Sequence, residues 1–268
     1  MNSPTFTSLI VTYNSANEVL NLLTDLHCYV PANPIIVIDN ASRDETVTFV
    51  QKQFPRVQLI QNSTNRGYAR AVNQGFDQCD TEYVMLLNPD IRIASVRPFC
   101  EMENYLKQFG QIAAAAPLQF KNDRKETSLN FTWSYSTPNA YKVYLSFLLQ
   151  YKQGFKEPIR VTYLNAGCLF LRRSAFERVG KFNEKYFMYG EEPDLFLKFK
   201  RYGFECYLFP DLAVTHYRER SLMTMPPLQR LQIKVHALWN IMDAFITGWA
   251  AILLDKFAIH KSWSVEQK

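Results

Sequence analysis

The sequence predicts an α/β protein with a Rossmann-like, mostly parallel central sheet flanked by helices. Short apolar runs alternate with amphipathic segments in the N-terminal part of the chain, as βαβ units require. Several of these runs end in polar clusters, and open α/β sheets carry their ligand sites at such strand ends. The 268 residues suffice for one such domain, which we place at 1–225, followed by a C-terminal helical extension over 226–268.

The elements are predicted in the following order. Strands are expected at Ser8–Thr12, Ile35–Ile38, Val57–Gln61 and Tyr83–Leu87, and helices at Glu18–Leu26, Asp44–Phe54 and Tyr68–Cys79. Later strands are expected at Ile112–Phe120, Leu164–Arg172, Glu205–Phe209 and Ala213–His216, with a helix at Asp194–Tyr202. The polar stretch Lys121–Ser128 indicates a loop, and Tyr135–Tyr151 has no pattern that assigns it.

Composition excludes several classes of function. The net charge of +5 is modest, and no block of Lys and Arg or aromatic RNA signature predicts a nucleic-acid partner. The five cysteines are scattered and form no C-x-x-C pair, which argues against disulfides and zinc and favours a reducing cytosol. No basic region precedes the first apolar run, so we expect no secretory signal. Polar residues interrupt 237–254, so we expect no membrane span there.

Polar residues follow the first two predicted strands. Thr12, Tyr13 and Asn14 end the first strand, and Asp39 ends the second. A carboxylate at this edge can accept the imide N–H of a uracil or thymine ring. Ordinary turns and helix caps are the alternative explanation for both clusters.

Two arginines flank the start of the third predicted helix. Arg66, Gly67 and Arg70 could meet phosphate oxygens near that helix N-terminus. The segment lacks the spacings of a dinucleotide fingerprint and of a P-loop, so neither site is predicted. Exposed helix arginines are the alternative.

The fourth predicted strand ends in Asn88, Pro89 and Asp90, and His216 follows a later one. Oxygen ligands suit Mg²⁺ or Mn²⁺, and substrate phosphates usually complete such a site, so one firm carboxylate can suffice. An imidazole could bind the same metal from the opposite side. A solvated strand-end Asp and a structural histidine are the alternatives.

Glu191 and Glu192 lie beside Asp194 in a crowded acidic segment. Crowding can raise the pKa of one carboxylate, as a base that deprotonates a sugar hydroxyl requires. Alternatively, the two glutamates only begin a helix, where its dipole favours them.

The order of these motifs resembles the family 2 glycosyltransferases of the GT-A fold, particularly bacterial rhamnosyltransferases that act on polyprenyl-linked glycans. The matching segments run in order from about residue 8 to 218: Ser8–Asn14, Val37–Thr46, Asn65–Asn73, Leu86–Asp90, Asn165–Leu171, Phe187–Leu195 and Phe209–His216. The resemblance implies a nucleotide-diphosphate-sugar donor, a divalent metal (Mg²⁺ or Mn²⁺) and inversion at the anomeric carbon.

The resemblance also implies roles for the candidate residues. Those expected at the nucleoside or its diphosphate are Thr12, Tyr13, Asn14, Asp39, Arg66, Gly67 and Arg70, and those expected to hold the metal are Asp90 and His216. Asn88 replaces the first acid of the usual D-x-D pattern and counts with the donor-binding residues. Glu192 stands where the family commonly has Asp and reaches one methylene further, and the base remains open between Glu191 and Glu192.

The implied activity is transfer of a sugar, L-rhamnose from dTDP-L-rhamnose, to a polyprenyl-diphosphate-linked saccharide in cell-surface polysaccharide (O-antigen) biosynthesis. A UDP-hexose is the alternative donor. A non-catalytic nucleotide-sugar-binding partner or regulator is an alternative of another class. A nucleotidyltransferase ranks third, because it normally needs a glycine-rich basic loop that Ile10–Asn14 does not offer.

The C-terminal extension has apolar residues at helical spacing, with basic residues near its ends. The stripe consists of Leu228, Leu231, Val235, Leu238, Met242, Phe245, Trp249 and Ile252. It predicts peripheral binding to the inner face of the plasma membrane, where a lipid-linked acceptor would be found. Packing on the catalytic domain or on a second subunit, which would make a homo-oligomer, is the alternative.

Overall fold

The structure is a computed structural model that describes residues 6–121, 131–132 and 157–217, together with 231–232, 235–236, 238–244 and 246–247. The unassigned segment Tyr135–Tyr151 and nearly all of the predicted loop Lys121–Ser128 lie outside the described residues. Of the predicted C-terminal stripe, Leu228, Phe245, Trp249 and Ile252 also lie outside them.

The described strands form one large sheet and one small one. They are β1 (Phe6–Thr12), β2 (Ile35–Asp39), β3 (Gln58–Gln61), β4 (Tyr83–Leu87), β5 (Ile91–Arg92), β6 (Ile112–Phe120), β7 (Phe131–Thr132), β8 (Ile159–Val161), β9 (Tyr163–Leu164), β10 (Cys168–Arg172) and β11 (Glu205–His216). The large sheet has the order β3-β2-β1-β4-β10-β6-β11-β5, with β8 also paired to β11. The small sheet pairs β7 with β9.

Most strands of the large sheet run in one direction, as predicted. β1, β2, β3 and β4 pair in parallel, and β6 and β11 share their direction because β10 is antiparallel to both β4 and β6. Only β5, β8 and β10 run the opposite way in the described sheet. The carboxyl ends of β1, β2 and β4 therefore meet at one edge, where the predicted polar clusters lie.

The described helices pack on both faces of the sheet. They are α1 (Ala16–Tyr29), α2 (Thr46–Gln53), α3 (Tyr68–Phe76), α4 (Arg97–Gln108), α5 (Arg173–Arg178) and α6 (Glu191–Arg201). Alternate residues of β1 enter separate apolar clusters: Leu9 packs with residues of α3, and Ile10 packs with residues of α1. Burial of both faces explains why the central strands are continuous apolar runs.

Two predicted extended segments are divided differently in the structure. Leu164–Arg172 is not one strand, because the turn at Asn165–Gly167 separates β9 from β10. Conversely, Glu205–Phe209 and Ala213–His216 belong to the single strand β11, which continues through a register shift between Phe209 and Ala213. A bulge of this kind keeps a strand in the sheet while changing its local direction.

The described parts of 231–247 are helical, and we call them the tail helix. Within the described residues, no helix is both long and apolar enough to cross a membrane. Four residues of the predicted apolar stripe are described, and all are exposed: Leu231, Val235, Leu238 and Met242. Asn240 and Asp243 on another side of the tail helix contact residues 185–190 instead.

Candidate functional site

Strand pairing brings Asp90 and His216 together. β11 pairs with β5 so that His216 is opposite Ile91, and the main-chain N–H of Tyr217 donates to the carbonyl oxygen of Asp90 at 3.1 Å. Nε2 of His216 then lies 3.2 Å from Oδ1 of Asp90. The side-chain nitrogen of Asn88 is 3.4 Å from the same Nε2. The three residues at the end of β4 and the end of β11 thus form one cluster.

The buried side chain of Gln119 determines how His216 presents its ring. The Gln119 amide nitrogen lies within hydrogen-bond distance of two carbonyl oxygens, those of Asn165 and Cys168. Its oxygen consequently faces Nδ1 of His216 at 2.8 Å and accepts a hydrogen bond from the N–H there. In the neutral ring this assigns the proton to Nδ1 and leaves the Nε2 lone pair directed toward Asp90.

This arrangement fits a divalent cation. Oδ1 of Asp90 and Nε2 of His216 lie 3.2 Å apart, and a divalent cation between them would accept a lone pair from each. No group of three or more His, Cys, Asp or Glu side chains able to hold a metal occurs among the described residues. The protein side of the site is therefore sparse, as in sites where phosphate oxygens and water supply the remaining ligands.

Gly167 makes room for His216, and we predict that Gly167→Ala disturbs the cluster. A Cβ at Gly167 would lie 2.5 Å from Nδ1 of His216 and 2.9 Å from Oδ1 of Asn165. We expect a loss of about 1–3 kcal/mol of stability from overpacking, and weaker Mn²⁺ binding because the imidazole is displaced. Thermal unfolding measures the loss of stability, and calorimetric titration with Mn²⁺ in the presence of a nucleoside diphosphate measures the metal affinity.

Gly110→Ala is the matched control, because nothing lies within 4 Å of its added Cβ. An unaltered Mn²⁺ affinity in Gly167→Ala would contradict the prediction.

The carboxyl ends of β1 and β2 present a buried carboxylate. Asp39 is 2% exposed, and its Oδ2 accepts a hydrogen bond from the main-chain N–H of Ser42 at 3.0 Å. Its Oδ1 has no hydrogen-bond partner within the described part of the chain. Thr12 is also buried, and Tyr13 is half-buried. Asn14 adopts a positive φ of 48° and joins the two loops, because its side-chain oxygen accepts from the main-chain N–H of Arg43 at 2.8 Å.

Asn40 connects this edge to the start of α3, a role that the sequence analysis did not assign. Its side-chain nitrogen donates to the side-chain oxygen of Asn65 at 3.1 Å and to the carbonyl oxygen of Gly67 at 3.2 Å. Its side-chain oxygen accepts from the main-chain N–H of Arg66 at 3.1 Å and from Asn62 at 3.2 Å. One amide therefore holds the loop before α3 against the end of β2.

The predicted phosphate-binding residues have different surroundings. Arg66 is exposed, whereas Arg70 forms an ion pair with Glu184 at 3.6 Å in which both side chains are about half exposed. Gly67 has a φ of 82°, and a Cβ there would lie 2.5 Å from the carbonyl oxygen of Phe187. The glycine is therefore required for the close approach of Phe187, apart from any contact with a nucleotide.

Glu191 and Glu192 begin α6 but differ in environment. Glu191 is 4% exposed, and its Oε2 lacks a hydrogen-bond partner among the described residues. Burial, together with the charge of Glu192, raises the pKa of Glu191 to about 8. Glu192 is half-buried and accepts hydrogen bonds from the hydroxyl of Tyr163 at 2.5 Å and from the main-chain N–H of Ala166 at 2.7 Å. Glu192 thus holds the turn that contains Gly167.

Tyr68 links the two acidic clusters, and the sequence analysis did not single it out. Its hydroxyl donates to the side-chain oxygen of Asn88 at 3.4 Å. Burial and then the charges of Glu192, Glu191 and Asp90 raise the pKa of Tyr68 well above its ordinary value. Asp90 and the two glutamates therefore lie close enough to Tyr68 to act electrostatically on its hydroxyl.

Comparison with known proteins decides the family. Residues 7–180 match the family model described as glycosyl transferase family 2. The chain belongs to glycosyl transferase family 2. The predicted resemblance and the assignment as an enzyme that transfers a sugar are confirmed at the level of this family.

Two relatives match this family 2 glycosyltransferase over most of its length. An N-acetylglucosaminyl-diphospho-decaprenol L-rhamnosyltransferase of Mycobacterium tuberculosis is 27% identical over 209 residues, which are 70% of this chain and 67% of the relative. The low-salt glycan biosynthesis hexosyltransferase Agl10 of Haloferax volcanii is 25% identical, and the match covers 72% of this chain and 61% of the relative.

Solved structures confirm the GT-A fold of this family 2 glycosyltransferase. GalNAc-T7 with UDP, GalNAc and Mn²⁺ superposes with a TM-score of 0.63 at 17% identity and covers 80% of this chain and 44% of that chain. A mannosyltransferase from Pyrobaculum calidifontis with GDP-Man and Mn²⁺ superposes with a TM-score of 0.59 at 15% identity, covering 99% and 81%.

Proposed function

We propose that this family 2 glycosyltransferase moves L-rhamnose from dTDP-L-rhamnose to a polyprenyl-diphosphate-linked saccharide during cell-surface polysaccharide assembly. The observation that carries the proposal is the turn at 165–167, which connects the start of α6 to the end of β4. Glu192 accepts from the N–H of Ala166, and the carbonyl oxygen of Gly167 accepts from the N–H of Asn88 at 2.9 Å. Glu192, as a proton acceptor, and Asp90 and His216, as candidate metal ligands, are thereby held next to each other. The mycobacterial relative named as an N-acetylglucosaminyl-diphospho-decaprenol L-rhamnosyltransferase supports the transferred sugar and the acceptor class.

Asp39 would recognise the nucleoside. Its buried Oδ1 needs a donor, and the imide N–H of thymine or uracil is one. Thr12, Tyr13 and Asn14 would lie along the same edge, and Arg66 and Arg70 would approach the diphosphate from the start of α3. For Arg70 this requires release of its exposed ion pair with Glu184, which is a weak interaction.

Asp90 and His216 would hold a divalent ion, Mg²⁺ or Mn²⁺, with Asn88 beside it. A bound divalent ion would neutralise the charge that develops on the departing diphosphate. Gln119 supports this role, because it presents the Nε2 lone pair of His216 toward Asp90. The two solved structures described with Mn²⁺ share the fold and are consistent with a metal-dependent enzyme.

Glu192 is the better candidate for the base. A Glu191 whose pKa is raised to about 8 is mostly protonated at neutral pH, and a protonated carboxyl cannot accept the acceptor's proton. Glu192 is half-buried, so a substrate can reach it. In the proposed step the acceptor hydroxyl oxygen forms a bond to the anomeric carbon while its proton passes to Glu192. The bond from that carbon to the diphosphate oxygen breaks, its electron pair leaves with the diphosphate, and the configuration inverts.

The deciding experiment measures nucleoside-diphosphate release from dTDP- and UDP-sugars, with a polyprenyl-diphosphate-linked saccharide acceptor, Mn²⁺ or Mg²⁺, and an EDTA control. Release of dTDP only with dTDP-rhamnose, acceptor and metal would support the proposal. Release of UDP from a UDP-hexose would assign the alternative donor. Tight nucleotide-sugar binding without release across the acceptors would favour a non-catalytic binding partner or regulator and would overturn the proposed reaction.

The tail helix would bind the inner face of the plasma membrane. Its exposed apolar residues include Leu238 and Met242 of the stripe together with Trp239 and Ile246, and these four are 45–66% exposed. An exposed apolar face with an indole suits the interface between water and acyl chains. A lipid-linked acceptor would place its diphosphate at that interface, close to the cleft.

We predict that the double variant Leu238→Glu/Trp239→Glu loses binding to vesicles that contain anionic lipid, because charges replace two exposed apolar contacts. We expect at least a tenfold smaller bound fraction, since each buried apolar side chain is worth about 1.5–3 kcal/mol. Vesicle flotation measures the effect, and the exposed Gln232→Ala on the same helix is the control. Equal flotation of the double variant and the wild type would contradict membrane binding through this face. A change from dimer to monomer would instead indicate that the face packs on a second subunit.

A further inference from the structure

Residues 185–190 form a loop that lies directly before α6, and two other parts of the chain, α3 and the tail helix, contact it. The main-chain N–H of Tyr68 at the start of α3 donates to the carbonyl oxygen of Phe187 at 2.8 Å. The tail helix contacts the loop through Asn240 and Asp243. The loop thus connects the region proposed for the donor, the helix that carries both glutamates, and the tail helix.

Asp243 contacts two successive residues of this loop. Its Oδ2 lies 2.7 Å from Nζ of Lys185 and accepts a hydrogen bond from the hydroxyl of Tyr186 at 2.8 Å. Nζ of Lys185 also lies 4.7 Å from the centre of the Tyr186 ring. Hydrogen bonds from Lys185 and Tyr186 lower the pKa of Asp243, so the carboxylate stays charged at neutral pH. Although Asp243 and Lys185 are partly exposed, the ring of Tyr186 is buried, which anchors the contact.

Asn240 contacts the end of the loop that enters α6. Its side-chain nitrogen donates to the carbonyl oxygen of Met188 at 3.0 Å. At Gly190 the two segments are so close that an added Cβ would lie 2.9 Å from Cβ and from the carbonyl oxygen of Asn240. The tail helix therefore packs directly against the residue before Glu191.

The backbone between these contacts has an unfavourable conformation. Tyr189 has a φ of 62° and Gly190 a φ of 96°, so two consecutive residues lie in the left-handed region. A residue with a side chain is rarely found there, and it remains there only when its surroundings hold it. Met188 and Gly190, which flank Tyr189, are both in contact with Asn240.

We propose that Asn240 and Asp243 of the tail helix are positioning residues for sugar transfer, because they hold loop 185–190 and thereby set the direction in which Glu191 and Glu192 leave it. The inference rests on the proposed function, in which Glu192 receives the acceptor proton. It assigns to the tail helix a task in the reaction that is separate from membrane binding, and its two sides divide the tasks: the apolar stripe faces outward, and the polar edge faces the loop.

The test compares Asp243→Asn and Asn240→Ala with Gln232→Ala, an exposed position of the same helix. Turnover is measured with a water-soluble acceptor analogue, so that membrane binding does not contribute. We expect kcat to fall about 10- to 100-fold, because a small misplacement of a catalytic group slows the reaction by this order. The KM for the donor should change less than about twofold. We also expect faster amide hydrogen exchange at residues 185–193, with exchange in β1 and β4 unchanged.

Each outcome bears on the proposal. A selective loss of kcat with faster exchange confined to 185–193 supports it. Unchanged kcat and exchange overturn it, as does a general loss of stability in which donor binding and kcat fall together, because the two residues would then be merely structural. If the wild type releases no nucleotide from any sugar donor, the proposed function fails, and the exchange measurement still determines whether the tail helix holds the loop.

Discussion

Replacement of Asp90 by alanine is expected to lower turnover at least about a thousandfold and to leave the protein folded. The change removes the only carboxylate of the Asp90–His216 pair. Stabilisation of a departing diphosphate by a metal is worth several kcal/mol, and each loss of about 1.36 kcal/mol slows the reaction tenfold. The main-chain contact from Tyr217 to the Asp90 carbonyl does not depend on the side chain and should survive. Nucleotide release in metal-replete buffer and calorimetric Mn²⁺ binding measure the effect.

Asp211→Ala is the matched control for Asp90→Ala. Asp211 is also an acidic residue of the large sheet, but it is exposed and pairs with Arg97 at 2.9 Å. We expect its turnover to equal that of the wild type. Turnover of Asp90→Ala at the wild-type level, with metal present, would end the assignment of the metal to this pair.

Glu192→Gln is expected to lower kcat about 10²- to 10⁴-fold with little change in donor affinity, because the amide cannot accept the acceptor's proton. Glu191→Gln should have a much smaller effect at neutral pH. Since the pKa of Glu191 is raised to about 8, the glutamine replaces a carboxyl that is already mostly uncharged. Single-turnover kinetics and donor titrations on the two variants distinguish these effects.

Each glutamate variant is the control for the other, because both place an amide in the first turn of α6. A large loss in Glu191→Gln with near-normal Glu192→Gln would reverse the assignment of the base. Glu192→Gln also weakens the acceptor of the hydrogen bonds from Tyr163 and Ala166, so exchange at the 165–167 turn should be followed in parallel. Unchanged exchange there would attribute the kinetic loss to the missing base.

Those parts of the fold that depend on local pattern were predictable. The bounds of β4 and β6 agree with the sequence prediction, because each strand is a buried apolar run that ends at polar residues. Helices α4 and α5 were not predicted. In α4 the buried apolar residues are Pro98, Phe99, Met102 and Leu106, and most of the other positions are charged or polar. Helix α5 is only six residues long.

The candidate site was predictable in its residue types but not in its connections. Strand ends pointed to Asp39, Asp90 and His216, since such positions share one edge of the sheet. One missed residue did leave a signal: Gln119 is the only amide in the apolar strand β6, and a buried amide needs partners. The roles of Asn40 and Tyr68 arise from tertiary contacts between distant segments, which residue spacing does not encode.

The side chain of Asn40 restricts the conformation of the region where the donor is proposed to bind. Its amide already connects the end of β2 with the loop before α3, through four hydrogen bonds from one side chain. The region proposed to bind the nucleoside therefore has little conformational entropy left to lose, and the nucleobase would dock as onto a rigid surface. The ordering that accompanies the proposed sugar transfer would then concentrate at the loop before α6, which depends on contacts from the tail helix. Affinity for the nucleotide and competence for transfer can accordingly change independently of each other.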